Sequence, residues 1–262
     1  MKKLLILTLA LLLATTGVLS LASCKQPEQE TLILGFDATY PPFGYQAEDG
    51  SYTGFDIEYA KRVCDKLGMK LELKPIDWEA KDEMIKTGAI DCIWNGFTYE
   101  GRENDYTWTD RYLNNSIVVL VKSDAGITTV ADLAGKAVAV QSDSSGEDAL
   151  KKKTDLVASL KDGNYLTEPD YTTAFTKLEA GSFEAIVIDV GVANYLIEGK
   201  SGYTILEEEI SKETYGVGFA KENTALRDKI NTAMKEVAAD TDFVKGLCEK
   251  YGINYSAFLL GK

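Results

Sequence analysis

A carboxylate stands where an apolar run ends. Ala185-Ile186-Val187-Ile188 reads as a buried strand, and Asp189 closes it with a charge that burial disfavours unless the group is paired. Two more polar clusters follow apolar runs in the same way. Asp37 to Tyr45 comes after Leu32-Ile33-Leu34-Gly35-Phe36, and Asn95 to Arg102 comes after Ala89 to Trp94. Ser144-Ser145-Gly146 precedes a helical stretch, where free backbone N–H groups can receive a carboxylate. Ordinary capping of the helix by serine gives the same pattern. Some chemistry is excluded outright. The chain has no histidine, which removes Ser-His-Asp and Cys-His catalysis and the commonest metal ligand. Cys64, Cys92 and Cys248 sit in apolar patterns without CxxC spacing, so no metal or redox site is expected. Buried free thiols are the default for them, with one disulfide as the alternative.

The elements that must position these groups alternate. Short apolar runs cover Leu32–Phe36, Leu71–Leu73, Ala89–Trp94, Ile117–Val121, Ala137–Val140 and Ala185–Val190. Between them lies helical periodicity: Ala60, Val63, Cys64 and Leu67 stopped by Gly68, and a helix from about Trp78 to Lys86 stopped by Gly88. Leu226, Ile230, Ala233, Met234 and Val237 line one late helix face, and Phe243, Leu247 and Tyr251 another. Strands alternating with helices predict an α/β fold with parallel sheets. In such sheets ligands bind beyond the carboxyl ends of strands, where all three polar clusters fall.

The chain opens with Lys2 and Lys3, then runs uncharged from Leu4 to Leu21. That is the form of a secretory signal peptide, expected over residues 1–23. Leu21-Ala22-Ser23-Cys24 resembles the bacterial lipobox, which implies lipid on Cys24 and a short polar tether over 24–30. The chain has 28 Lys and Arg against 41 Asp and Glu; loss of Lys2 and Lys3 leaves 26 against 41, a formal −15. That sign argues against nucleic acid and against direct binding to anionic lipid.

Further blocks carry a family resemblance. Gly35-Phe36-Asp37-Ala38-Thr39-Tyr40-Pro41-Pro42-Phe43 and Gly54-Phe55-Asp56-Ile57-Glu58 come first. Asp91-Cys92-Ile93-Trp94-Asn95-Gly96-Phe97-Thr98 with Arg102, Val130 to Val140, and Tyr215-Gly216-Val217-Gly218-Phe219-Ala220 follow in order. Together they resemble the polar amino-acid (family 3) solute-binding proteins of ABC importers, over nearly the whole mature chain. The resemblance implies a two-lobed periplasmic-binding-protein fold of type II, with two strands as hinge near Ile117–Lys122 and Leu206–Tyr215. Lobe 1 is expected over 31–117 and 215–262, and lobe 2 over 118–214.

It also implies roles. Arg102 aligns with the arginine that takes the ligand α-carboxylate, since a guanidinium matches a carboxylate with two parallel bonds. Asp189 aligns with the ammonium-binding aspartate; helix capping is its alternative. The Gly96 carbonyl and Thr98 hydroxyl supply further acceptors, Asn95 belongs to the same block, and Ser144 and Ser145 meet the carboxylate. Tyr40 and Trp78 align with aromatic positions that sandwich the ligand, with core packing as the rival for Trp78. Asp37 faces the side-chain end. The mature chain has four arginines, Arg62, Arg102, Arg111 and Arg227. Only Arg102 lies in a polar cluster, so an acidic ligand lacks a second partner. A neutral polar amino acid such as glutamine or cystine is favoured, and a basic one is next. The expected partners are that amino acid, an ABC permease and the membrane through Cys24, on a monomer without cofactor outside the cytoplasm. A lipoprotein sensor of amino acids, or a dehydratase on the same fold, are the alternatives; the latter needs a carboxylate such as Asp37 or Glu147 shifted strongly upward.

Overall fold

The computed structural model describes residues 29–261. The expected leader over 1–23, Cys24, and the tether as far as Pro27 and Glu28 lie outside the described residues. Gln29 and Glu30, at the end of the expected tether, already bond to the body. Gln29 Nε2 donates to the Gly68 carbonyl, and the Glu30 carbonyl accepts from the Lys70 N–H at 2.8 Å. The reason is register: the parallel pairing of Thr31–Phe36 with Lys70–Pro75 starts one residue later.

Two sheets carry the fold. The first runs in the order Lys70–Pro75, Thr31–Phe36, Cys92–Ile93, Gly218–Phe219, Thr107–Trp108. The second runs Leu166–Glu168, Val138–Gln141, Ala185–Asp189, Leu113–Lys122, Tyr203–Ile205, with Ser211–Tyr215 also paired to Leu113–Lys122. Both are mixed, where strand–helix alternation predicts parallel sheets. The chain enters the second sheet on the long strand Leu113–Lys122 and leaves on Ser211–Tyr215. These two lie antiparallel side by side, with Leu113 opposite Tyr215 and Ile117 opposite Ser211. Downstream of that return, Gly218–Phe219 pairs antiparallel with Cys92–Ile93.

The near-continuous apolar runs are explained by burial on both faces of the second sheet. Successive side chains point to opposite sides. Ile117, Val119 and Val121 pack in one cluster with Val138, Val140, Ala185 and Val187. Val118 and Leu120 face the other way with Ala139, Ile186 and Ile188, in the cluster that continues into the first sheet. Tyr40, Phe43, Tyr171 and Tyr215 make the aromatic bridge: Phe43 meets Tyr215 edge-on at 5.3 Å, and Tyr40 lies 6.1 Å from Tyr171.

Helix Phe55–Leu67 buries the expected Ala60, Val63 and Cys64 against helices Thr224–Ala238 and Thr241–Lys250. Its entry requires glycine: Gly54 has φ 137°, and a Cβ there would lie 2.2 Å from the Phe43 carbonyl oxygen. Two elements are shorter than expected. The helix predicted from Trp78 to Lys86 is a 3₁₀ turn, Trp78–Ala80, capped by Asp77 and followed by helix Lys81–Lys86. The strand predicted over Ala89–Trp94 pairs only at Cys92–Ile93. Val190 opens the helix Val190–Ile197 instead of ending the strand before it. Cys64, Cys92 and Cys248 are all buried, Cys64 and Cys92 as free thiols. Among the described residues no helix is long and apolar enough to cross a membrane, and no group of His, Cys, Asp and Glu could hold a metal ion.

Candidate functional site

The strand ends of the two sheets face one another. Thr31–Phe36 delivers Asp37, Cys92–Ile93 leads to Asn95, and from the other sheet Val138–Gln141 and Ala185–Asp189 deliver their last residues. Between them is a tight, largely enclosed cavity of about 10 Å³. Asp37, Tyr40, Trp78, Asn95, Gly96, Thr98, Arg102, Ser144, Ser145 and Asp189 all line it, together with Gln141, which sequence reasoning passed over.

Asp189 is 1% exposed. It occupies the cap position of helix Val190–Ile197 but makes no capping bond. Its Oδ1 accepts instead from Asn115 Nδ2 at 2.8 Å and from the Tyr215 hydroxyl, and the Tyr40 hydroxyl also reaches the carboxylate. The capping alternative is thereby overturned: the carboxylate bonds to these side chains and not to the helix N–H groups. Burial raises its pKa despite them.

Arg102 follows the turn Tyr99–Arg102, closed by a backbone bond of 3.1 Å. Its side chain is 11% exposed, lies over the Phe97 ring at 5.3 Å and reaches Asp148 Oδ2 with Nη2 at 3.3 Å. Nη1 and Nε make no bond to Asp148, so the fork keeps donors for an anion in the cavity.

Gly96 has φ 56°, and a Cβ there would meet the Tyr40 ring at 3.0 Å and the Tyr215 ring at 3.1 Å. The glycine therefore keeps the space between two aromatic walls. Its N–H donates to Asp56 Oδ2 at 2.5 Å, which fixes the peptide plane. Asp56, fully buried, also accepts from the Tyr112 hydroxyl at 2.8 Å, and burial pushes its pKa up to about 7. Sequence reasoning quoted Asp56 in a motif without giving it this task; its place at the start of a helix hid the bond. Thr98 spends its hydroxyl hydrogen on Glu213 Oε1 at 3.0 Å, leaving its lone pairs for a donor in the cavity.

Asp37 is held by a local turn, accepting from the Thr39 N–H at 2.8 Å and hydroxyl at 2.6 Å. Gln141 Nε2 from the opposite sheet donates to its other oxygen at 3.0 Å and to the Pro169 carbonyl. Desolvation nevertheless raises its pKa. The signal for Gln141 was available: it is the polar end of an apolar strand, as Asp189 is. Asn95, 2% exposed, has no hydrogen-bond partner for either Oδ1 or Nδ2. Its Oδ1 would lie 3.0 Å from a Cβ on Gly44, whose neighbourhood also holds the Asp37 carbonyl.

Trp78 combines packing with a place on the cavity wall. It packs edge-on against Phe97 at 5.6 Å, lines the cavity, and donates Nε1 to the Asp143 carbonyl across it at 3.2 Å. Lys81 Nζ pairs with the Asp143 carboxylate beside it. Ser144 caps helix Ser145–Lys152 through Glu147 N–H and donates to the Gln141 carbonyl at 2.8 Å. The capping alternative thus holds for its side chain, while Ser145 begins the helix at the cavity wall.

Residues 32–253 match the bacterial extracellular solute-binding proteins, family 3. The L-cystine-binding protein TcyJ of Escherichia coli K12 is 30% identical over 231 residues, covering 87% of this chain and 84% of that protein. The arginine-binding extracellular protein ArtP of Bacillus subtilis is 27% identical over 252 residues, 94% of this chain and 96% of that one. An ABC uptake transporter substrate-binding protein from Streptococcus pneumoniae, solved with bound histidine, superposes with a TM-score of 0.81 at 31% identity. That match covers 84% of this chain and 92% of the other. Two mixed sheets joined by antiparallel crossing strands, with a polar cavity between their strand ends, are the two-lobed architecture of such binding proteins, and the chain belongs to the bacterial extracellular solute-binding proteins of family 3, which are binding proteins of transporters and not enzymes.

Proposed function

We propose that this protein captures a free L-amino acid outside the cytoplasm and delivers it to an ABC permease. The observation that carries the reading is the placing of Arg102 and Asp189, from different sheets, on the wall of one cavity. A zwitterion needs both. The α-carboxylate lies on the Arg102 fork and the N-terminal N–H groups of helix Ser145–Lys152. The ammonium lies among Asp189, the Gly96 carbonyl and the Thr98 hydroxyl, with Tyr40 and Trp78 along the body. Charge-assisted bonds contribute about 1.5–3 kcal/mol each, so several offset the desolvation of the zwitterion and leave micromolar binding, about −8 kcal/mol.

The lobes are 31–117 with 215–262, and 118–214, hinged on Leu113–Lys122 and Ser211–Tyr215. Ligand touching both lobes favours the closed arrangement by its differential contacts. Closure is also supported by bonds between them: Gln141 to Asp37, Trp78 to Asp143, and Thr172 Oγ1 to the Thr39 carbonyl at 3.2 Å. The protein acts as a monomer held at the membrane by lipid on Cys24.

Relatives named for cystine and arginine, and one holding histidine, leave the choice of side chain to the cavity. A neutral polar side chain is favoured. Asp37 already accepts three hydrogen bonds, whereas Asn95 offers an unused acceptor and an unused donor pair beside it. A basic side chain, drawn to Asp37, is the second reading. Thermal unfolding of the soluble body against all twenty amino acids and cystine tests both. Ligand at a hundred times its Kd should stabilise by about 2.7 kcal/mol, a shift of several degrees. Glutamine or cystine shifting most supports the first reading and arginine or lysine the second; no shift with any amino acid rejects the function.

A further inference from the structure

Asp189 does not stand alone. Glu213, on the returning strand Ser211–Tyr215, is 6% exposed and pairs directly across the ladder with Asn115. Asn115 Nδ2 donates at 2.8 Å to Asp189 Oδ1 and at 2.8 Å to Glu213 Oε1, so the two carboxylates stand within two hydrogen-bond lengths. Thr98 and Ser145 also donate to Glu213 Oε1, at 3.0 and 3.3 Å. Three donors thus meet on Glu213 Oε1, and Asn115 bridges that oxygen to Asp189. Around Asp189 the remaining titratable neighbours are the hydroxyls of Tyr40, Tyr171 and Tyr215. On its outer side Glu213 shares a surface cleft with Glu100, Asp148, Lys152, Lys153 and Lys212. Among the described residues no lysine or arginine forms an ion pair with either acid.

Two adjoining buried carboxylates without a cation cannot both be ionised; one proton must lie between them. We propose that Glu213 and Asp189 form one proton-sharing acid pair, and that the ligand ammonium replaces this proton, so that amino-acid binding releases it to solvent. Glu213 is a positioning residue here: it acts on the ammonium through Asp189. The balance is simple. The pair enters with one O–H bond and one negative charge. The ligand enters with its ammonium intact, the O–H bond of the pair breaks, that proton goes to water, and two carboxylates remain, Asp189 against the ammonium and Glu213 behind it. The pair is built within one sheet, on the two strands that flank Leu113–Lys122, so it persists when the lobes separate. Burial first, and then the Asp189 charge, push Glu213 up to about 8, in keeping with a proton retained at neutral pH.

The inference rests on the amino-acid reading, and the experiment separates the two. Calorimetric titration with the amino acid chosen by the thermal panel, L-glutamine as first probe, is run at pH 7 in phosphate and in Tris. The difference in observed heat counts the protons passed to buffer. Close to one proton released per ligand is expected, and affinity should rise up to tenfold per pH unit from pH 6 to 8. Glu213→Gln keeps the acceptor for Thr98 and Asn115 but should abolish the release and flatten that pH profile. Binding without proton release by the unaltered protein overturns the inference and leaves the function standing. Release that persists in Glu213→Gln overturns the assignment to Glu213. No binding of any amino acid removes both.

Discussion

Asp56→Asn should make the protein more stable at pH 8 than the parent, and the advantage should vanish on acidification. Asp56 is fully buried and accepts two bonds, from the Gly96 N–H and the Tyr112 hydroxyl. An asparagine satisfies the same geometry, since its oxygen accepts from Gly96 while its amide donates to the Tyr112 oxygen. What disappears is the charge. In the folded protein the carboxyl titrates at about 7, against 3.8 for the free side chain. The raised value means that the folded state holds its proton more tightly than the unfolded state. Stability from this group is therefore full below about pH 4 and lost as pH rises through 7. Each unit is worth about 1.4 kcal/mol, so the three-unit gap sets an upper bound of about 4 kcal/mol lost at pH 8. Urea unfolding of both proteins at pH 5 and pH 8 measures the difference, in which other titrating groups cancel. Asp56→Asn should gain on the parent by at least about 1 kcal/mol between the two. An equal difference at both pH values, or one that shrinks at pH 8, refutes the reasoning.

Gly96→Ala places a methyl between the Tyr40 and Tyr215 rings and strains a left-handed φ. Ligand affinity should fall at least tenfold by calorimetry, while helical circular dichroism is retained; unchanged affinity contradicts the cradle described here. Ser144→Ala removes the cap bond to Glu147 N–H and should destabilise the protein by about 1 kcal/mol in denaturant unfolding. No change would mean that the helix is held by other contacts. Burial pushes the Cys64 thiol up to about 12 and the Cys92 thiol well above the ordinary thiol range, so neither should react with a thiol reagent at pH 8 until the protein unfolds. Modification of either in seconds, followed by mass spectrometry of peptides, would refute that assignment.

The sequence displayed the site better than the topology. Asp37, Asn95 and Asp189 each interrupt an apolar pattern, and interruptions are conspicuous because burial makes an unpaired polar group costly. Gln141 follows the same rule and was legible in principle. Glu213 was not: strand Ser211–Tyr215 is polar in composition, and only its pairing with Leu113–Lys122 shows that one of its acids faces inward. The antiparallel pairings were hidden for a similar reason. Periodicity reports which residues share a face, but it does not report the direction of a partner more than ninety residues away, as Tyr215 is from Leu113. The 3₁₀ turn at Trp78 departs from the pattern where Asp77 caps it, accepting from the Glu79 N–H.

The central claim is the zwitterion clamp, and Arg102 is its most direct test. Binding of the amino acid selected by the thermal panel is measured calorimetrically for the parent and for Arg102→Ala. The Arg102–Asp148 pair is half open to solvent on the Asp148 side, so its loss should cost the unliganded protein no more than about 1 kcal/mol. Two charge-assisted bonds to the α-carboxylate are worth about 3 kcal/mol or more together. The account predicts that Kd rises at least a hundredfold in Arg102→Ala with folding intact; binding within threefold of the parent would contradict it.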